Sequence, residues 1–298
     1  MKAKVKKIII GTWGLSGDLG ELKENPLEVL NKAIELGFTE IDTAPSYGQG
    51  KIYKILDKIP TRVKKEIKFN TKCGYNKNLT KKTFSVNDIK KSVENSLDIF
   101  GKINVLYIHN PREEIKDWEK ILNLLSDFKK KKYIKYSGIS FAKNFYFNEK
   151  IVNNFDIIQD ELNLLTANNY NKIIKYKCKI HSRSPYALGL LINKKKIKFQ
   201  NNDYRSNIFH SNKRVKVISS QIENLKMIDK NLKKTAINFL MSLKKINKII
   251  FGVKSKKHLI DLKRDLNNMN GIDYEKKKKI FLLNKNYFNN EDKRDLLY

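Results

Sequence analysis

Residues 41–50 read IDTAPSYGQG and follow the run GFTEI at 37–41. That run has the apolar-leaning composition of a strand, so the carboxylate of Asp42 falls at the strand's end, with Tyr47 and Gly48 in the loop beyond. A turn needs Gly or Pro for its backbone angles. It does not need an acid and a phenol as well. What the pair means depends on how the other strands of the chain end.

Strand candidates lie at 7–11, 38–43, 67–72, 103–109, 134–140, 155–159, 179–184 and 248–253. Between them apolar residues recur at helical spacing: Leu27, Leu30, Ala33 and Ile34 behind Pro26, then Val86, Ile89, Val93, Leu97 and Phe100, then Trp118, Ile121, Leu122, Leu125 and Phe128. Eight strands alternating with helices in 298 residues predict an α/β fold, a (β/α)8 TIM barrel. No composition break divides the chain, so a single domain over 1–298 is expected, with its barrel core at about 7–270. The segment 191–220 is too long and polar for a simple connection and is expected to be a long loop after strand seven. Residues 271–298 carry several aromatics and are expected to pack on the barrel as a C-terminal extension.

Asp42 then belongs to a series. Lys72, His109, Ser140 and Gln159 end the third to sixth strand candidates, at separations of 19 to 37 residues, about one βα unit each. Such ends land side by side on the C-terminal rim of a barrel, where active sites are built. Taken singly, each has a plainer reading. Asp42 can cap a turn, Lys72 can carry its charge to the surface, His109 can be a satisfied core histidine and Tyr47 can be packing. Together they are harder to dismiss. Lys72 closes the half-buried run IKFNTK, and it keeps its charge there only beside a carboxylate, for which Asp42 on the adjacent strand is the natural partner.

The net charge of +31 suggests a polyanion binder, yet only seven of the 62 basic residues are Arg and the lysine runs are scattered. A solvated lysine surface is the expectation, with no nucleic-acid partner. Cys73 and Cys178 form no CxxC pair, which points to a reducing compartment and to no disulfide or metal site. The opening MKAKVKKIIIGTWGL does not read as a signal peptide, and no apolar run approaches the ~18 residues of a membrane span. A cytoplasmic location is expected.

GTW at 11–13, IDTAPSYG at 41–48, NTK at 70–72, LYIHNP at 106–111, GIS at 138–140, IIQDELNLL at 157–165, SPYALGLL at 184–191 and FGVKS at 251–255 stand in one order along the chain. In that order they resemble the aldo-keto reductase superfamily over residues 7 to 262. The resemblance implies the same barrel, an extended NAD(P)H without a Gly-rich dinucleotide loop, and a catalytic tetrad that falls on Asp42, Tyr47, Lys72 and His109. It puts Ser140 and Gln159 on the nicotinamide amide and Thr12 and Trp13 beside it. Ser184, Leu188 and Gly189 would meet the pyrophosphate, and Lys254 and Ser255, with Lys256 as a further candidate, would clamp a 2′-phosphate. NADP (as NADPH) is therefore favoured, with NAD possible. Phe141 stands where the family has Asn, Arg183 where it has a stacking aromatic, and Gln49, Gly50 and Lys51 where it often has an acid.

The chemistry this implies is reduction of an aldehyde or ketone to an alcohol, with hydride from the cofactor and a proton from Tyr47. Lys72, held by Asp42, would lower the Tyr47 pKa, and His109 would steady the carbonyl oxygen. The partner would be a small-molecule carbonyl compound lying against Trp13, Asn110 and the residues following it to Glu114. The basic residues Lys194, Lys195, Lys196, Arg205 and Lys213 would favour an acidic or phosphorylated one. Three other readings compete. The glycines at 11, 14, 17 and 20 are a poor match to a doubly wound dinucleotide site, because their spacing is not GxGxxG. A non-catalytic polyanion-binding module would respond to salt and not to NADPH. The same scaffold could also run elimination or epimerisation on a sugar.

Overall fold

The computed structural model describes residues 2–112, 115–142, 145–192, 199–200 and 202–288. Eight strands close into one parallel barrel in chain order: β1 Ile8–Gly11, β2 Glu40–Asp42, β3 Lys68–Cys73, β4 Ile103–His109, β5 Ile134–Ser140, β6 Ile157–Glu161, β7 Lys179–Arg183 and β8 Ile246–Gly252. Strand β8 returns to pair with β1, so no sheet edge is left open. The expected strands are all present, with shifted ends. Strand β2 is shorter than its pattern suggests, and β6 runs on past Gln159 to Glu161.

Alternation along the strands divides the core in two. Ile10, Ile41, Phe69, Leu106, Ile108, Ile139, Ile158 and Phe251 face outward and pack under the helices with Leu30, Ile89, Leu125 and Phe239. Inside the barrel lie Val105, Tyr107 and Ile157, with Tyr136 against them. A side chain on Gly138 would come within 2.5 Å of the Tyr107 ring, so this strand position has to be glycine for the tyrosine to fit.

The helices begin and end where local chemistry dictates. Pro26–Glu35 starts on Asn25, whose side chain accepts from Leu27 N, with Pro26 in the first turn. Val86–Phe100 starts on Ser85, which accepts from Asp88 N, and stops at Gly101. Burying an aliphatic or aromatic side chain such as Ile89, Val93 or Phe100 contributes roughly 1.5–3 kcal/mol each.

The segment 191–220 departs from the expected loop. It contains a short helix, Tyr204–Ile208, and the start of a long one, Asn212–Ile228. The latter is capped by Ser211 and buries Ile218, Ile222 and Leu225. Their spacing is helical, but the polar residues between them, Ser219, Ser220, Gln221, Glu223 and Asn224, mask the stripe in the sequence. Lys194, Lys195 and Lys196 lie outside the described residues, as do Glu113 and Glu114. The extension forms the helix Tyr274–Phe288. Asn284 pins it to the loop after β6, donating to Leu164 O and accepting from Ala167 N. Among the described residues no helix is long and apolar enough to cross a membrane.

Candidate active site

The inward-facing residues at the C-terminal ends of β2, β3, β5 and β6 form one hydrogen-bonded chain, with His109 of β4 beside it. Register puts His109 beside Ser140 and Ser140 beside Gln159. Ser140 Oγ donates to Gln159 Oε1 at 3.0 Å, and Gln159 Nε2 donates to Asp42 Oδ2 at 2.8 Å. The other oxygen of Asp42 accepts from Lys72 Nζ at 2.5 Å. Lys72 is 1% exposed. Its ammonium also donates to Thr43 O at 2.9 Å and lies 5.1 Å from the centroid of the Tyr47 ring, near enough for its charge to act on the phenol. The four residues expected to act together are brought together.

Electrostatics assign a charge state to each. Burial opposes the Lys72 ammonium, but Asp42 and the Tyr47 hydroxyl outweigh it and the pKa is raised, so Lys72 stays charged. Tyr47 corrects the expectation. Its residue is half-buried, yet the hydroxyl end is enclosed, and that burial raises the phenol pKa by more than Lys72 lowers it. The net direction is upward, not downward. Burial holds His109 well below its ordinary 6.5, with Lys72, Lys82 and Arg183 pushing the same way, so the imidazole is neutral. Its Nδ1 has no hydrogen-bond partner among the described residues.

The loop after β2 shows why a glycine follows the tyrosine. Gly48, Gln49 and Gly50 all take positive φ, at 58°, 52° and 88°. A Cβ on Gly48 would sit 2.6 Å from Ser16 O, so only glycine lets this loop lie against the one after β1. Gly48 N–H donates to Asp18 Oδ2 at 2.8 Å. The tight reversal turns the Tyr47 ring into the barrel mouth. There Trp13 stacks on it with centroids 6.1 Å apart, and His109 meets it edge-on at 6.3 Å. Tyr204 lies against Trp13 and Tyr75 against His109, which completes an aromatic rim.

Asn110, at φ 48°, places Oδ1 3.4 Å from Ser140 Oγ and gives its carbonyl to Lys82 Nζ. Thr12 is fully buried below the rim, donating to Thr43 Oγ1 at 2.9 Å. Arg183 reaches Glu161 and Phe141 O, both at 3.3 Å. The remaining expected residues form a second group on the loops after β7 and β8. Ser184, Leu188 and Gly189 have positive φ, and Leu188 O accepts from Arg205 Nη1. Lys254 Nζ donates to Leu19 O at 2.7 Å, and Ser255 caps Lys256–Asn267 by accepting from His258 N. Lys256 is already engaged: Nζ pairs with Glu28 and its N–H donates to Glu24. Arg205, expected to favour an acidic substrate, is instead held by Asp203 at 2.6 Å and by the carbonyls of Leu188 and Leu19. Sequence reasoning missed Asp18, Tyr75, Glu161 and Tyr204. No quoted motif contains Asp18, Tyr75 or Tyr204, whose neighbours come from other parts of the chain; Glu161 lies inside IIQDELNLL, and its partner Arg183 comes from the next strand.

A model of the aldo/keto reductase family matches residues 7–271, and the chain belongs to that family. It is an NAD(P)H-dependent oxidoreductase that acts on carbonyl compounds. Among solved structures, the glycerol dehydrogenase AKR11B4 from Gluconobacter oxydans superposes with a TM-score of 0.74 at 18% identity, covering 93% of this chain and 90% of that one. The holo form of the aldo-keto reductase AKR11C1 from Bacillus halodurans gives 0.70 at 18%, over 93% and 91%. Its apo form gives 0.59 at 17%, over 92% and 89%. No curated protein matches the chain.

Proposed function

We propose that the chain reduces an aldehyde or ketone to an alcohol with NADPH, and that Tyr47 delivers the proton. The observation that carries this reading is the buried pair of Lys72 and Asp42, with the Tyr47 ring centroid 5.1 Å from the same ammonium. A reduced nicotinamide, when bound, would supply hydride to the carbonyl carbon. Tyr47 gives its proton to the carbonyl oxygen. A phenol with a raised pKa is fully protonated at neutral pH, and a forming alkoxide is a far stronger base than a phenolate, so the transfer still runs toward the alcohol. Lys72 holds a positive charge beside the phenolate left behind and stabilises it. Neutral His109 donates one N–H toward the substrate oxygen as negative charge grows there.

The donor set fits a nicotinamide dinucleotide. Ser140 and Gln159 offer an amide-binding pair, and Arg183 supplies a planar cation at the rim. Trp13 and Asn110 would border the substrate. Lys254 carries a half-buried ammonium beside Ser255, the donor types a 2′-phosphate requires, which favours NADPH over NADH.

Tyr47→Phe is the test. Carbonyl reduction should fall by about 10²–10⁴-fold, while the dissociation constant for NADPH, read by quenching of protein fluorescence, stays within about two-fold. Undiminished turnover of a reactive aldehyde would remove Tyr47 from this role. Turnover that yields an eliminated or epimerised product without net consumption of NADPH would replace the reaction type.

A further inference from the structure

One residue, Asp18, ties three segments together at the mouth of the barrel. Asp18 Oδ2 accepts from the Trp13 indole Nε1 at 2.9 Å and from Gly48 N–H at 2.8 Å. The carbonyl of the same residue accepts from Tyr204 N at 2.8 Å, and the next residue, Leu19, bridges to Asp203. Tyr204 in turn lies across the Trp13 ring, with centroids 5.5 Å apart. Asp18 thus touches the loop of the proton donor, the aromatic wall of the site and the segment that crosses the mouth from beyond β7.

We propose that Asp18 is a positioning residue that sets where Tyr47 and Trp13 stand relative to the segment around Tyr204; this rests on the reading of Tyr47 given above. The geometry fits that role better than a purely structural one. Gly48 has left-handed backbone and no side chain, so the Gly48 N–H to Asp18 bond is a direct restraint on the orientation of the residue before it, Tyr47. The side-chain bond from Trp13 to the same oxygen means that the indole and the phenol cannot shift independently. A carboxylate oxygen has two lone pairs and a full share of negative charge, which suits two simultaneous N–H donors. Ser16 locks the turn from below, donating to Trp13 O at 2.7 Å while accepting from Asp18 N at 3.3 Å.

The expected consequence is a split between kinetic terms. Asp18→Ala removes the shared acceptor and should lower kcat by about 10–100-fold, because a reacting group misplaced by a fraction of an ångström loses that much. Affinity for NADPH should stay within about three-fold, because only Trp13 among the residues expected at the cofactor loses a contact, while those expected on the amide, the pyrophosphate and the 2′-phosphate keep theirs. Asp18→Asn can turn its oxygen to both donors and should recover most of the loss. In a Trp118→Phe background the chain keeps one indole, Trp13, and Asp18→Ala should shift its emission while Asp18→Asn should not. Thermal melting of each variant checks that it folds. The proposal is overturned if Asp18→Ala keeps wild-type kcat, if Asp18→Asn is as impaired as Asp18→Ala, or if kcat and NADPH affinity fall in parallel. The emission readout needs no turnover, so it separates a failure at Asp18 from a failure of the Tyr47 reading, which Tyr47→Phe tests alone.

Discussion

The barrel interior holds two buried polar sets, one below the other on the same strands. The upper set is Asp42, Lys72, His109, Ser140 and Gln159. Two residues earlier on β2, β3 and β4 stand Glu40, Asn70 and Tyr107, joined by Asn104, Lys248 and, on β7, His181. Both sets centre on a lysine–carboxylate pair at 2.5 Å. In the lower set the carboxylate is closed off: Glu40 accepts from Asn70, Asn104 and Lys248, and the Tyr107 hydroxyl lies 2.6 Å from His181 Nδ1. In the upper set the ammonium stands 5.1 Å from the ring centroid of a phenol that borders the mouth, beside a neutral imidazole whose Nδ1 has no partner among the described residues. A buried ion pair is therefore no mark of catalysis. What separates the two sets is that one ends on a phenol at the barrel mouth, against Trp13 and His109, while the other is closed on itself.

Removing each lysine should expose that difference most strongly. Lys72→Met should abolish measurable reduction, a loss of about 10²–10⁴-fold, and should also leave Asp42 buried without its counter-charge, at about 3–5 kcal/mol. Lys248→Met should destabilise by less, because that lysine is 22% exposed along its side chain, and should leave kcat unchanged. Urea unfolding and steady-state rates on the two variants decide it. Equal losses of activity would collapse the distinction.

Gly48→Ala comes next. It places a methyl 2.6 Å from Ser16 O on a backbone at φ 58°, so the loop must move and Tyr47 with it. A strained left-handed residue costs about 1–3 kcal/mol, and kcat should drop by about 10-fold or more. A rate equal to wild type would show that Tyr47 tolerates a displaced loop.

Acid acts on both sets in the same direction, because burial lowers the pKa of His109 and of His181. Burial pushes the lower His181 down from 6.5 to about 4. The unfolded chain takes up its proton below 6.5 and the folded chain only near 4, so stability is complete above 6.5 and is lost as pH falls through that window. The full effect is about 3 kcal/mol. On the outward face of β6, burial pushes Asp160 from 3.8 up to about 7. Its effect has the opposite sign: it favours the folded state in acid, and that benefit is lost as pH rises from 3.8 to 7. His181→Gln should flatten the acid limb of the stability profile and Asp160→Asn should steepen it, as read from urea midpoints between pH 4 and 8. The smallest expected effect lies away from both sets. Asn284→Ala deprives Ala167 N and Leu164 O of their partner, costs about 1–3 kcal/mol and should not change kcat.

Much of this was readable along the chain. Alternating strand and helix periods and the strand-ending residues place Asp42, Lys72, His109, Ser140 and Gln159 on one rim, because parallel strands joined through helices all end on the same side. The lysine–carboxylate partnership also followed, since an ammonium inside a barrel needs a counter-charge. The helix Asn212–Ile228 was hidden by the polar residues that surround its apolar positions, and the engagement of Arg205 was hidden because, although Asp203 stands two residues away, its carbonyl acceptors at Leu188 and Leu19 are brought to it by folding.

The order of residue types along the strands was enough to define the barrel, its two faces and the identity of the residues on its rim, because side-chain direction alternates with a period set by backbone geometry alone. The pKa direction of Tyr47, the neutrality of His109 and the convergence of Trp13, Gly48 and Tyr204 on Asp18 arose only in three dimensions. Desolvation depends on how completely other segments enclose a group, and a hydrogen bond between loops depends on where each loop is carried. Neither quantity is written in local sequence.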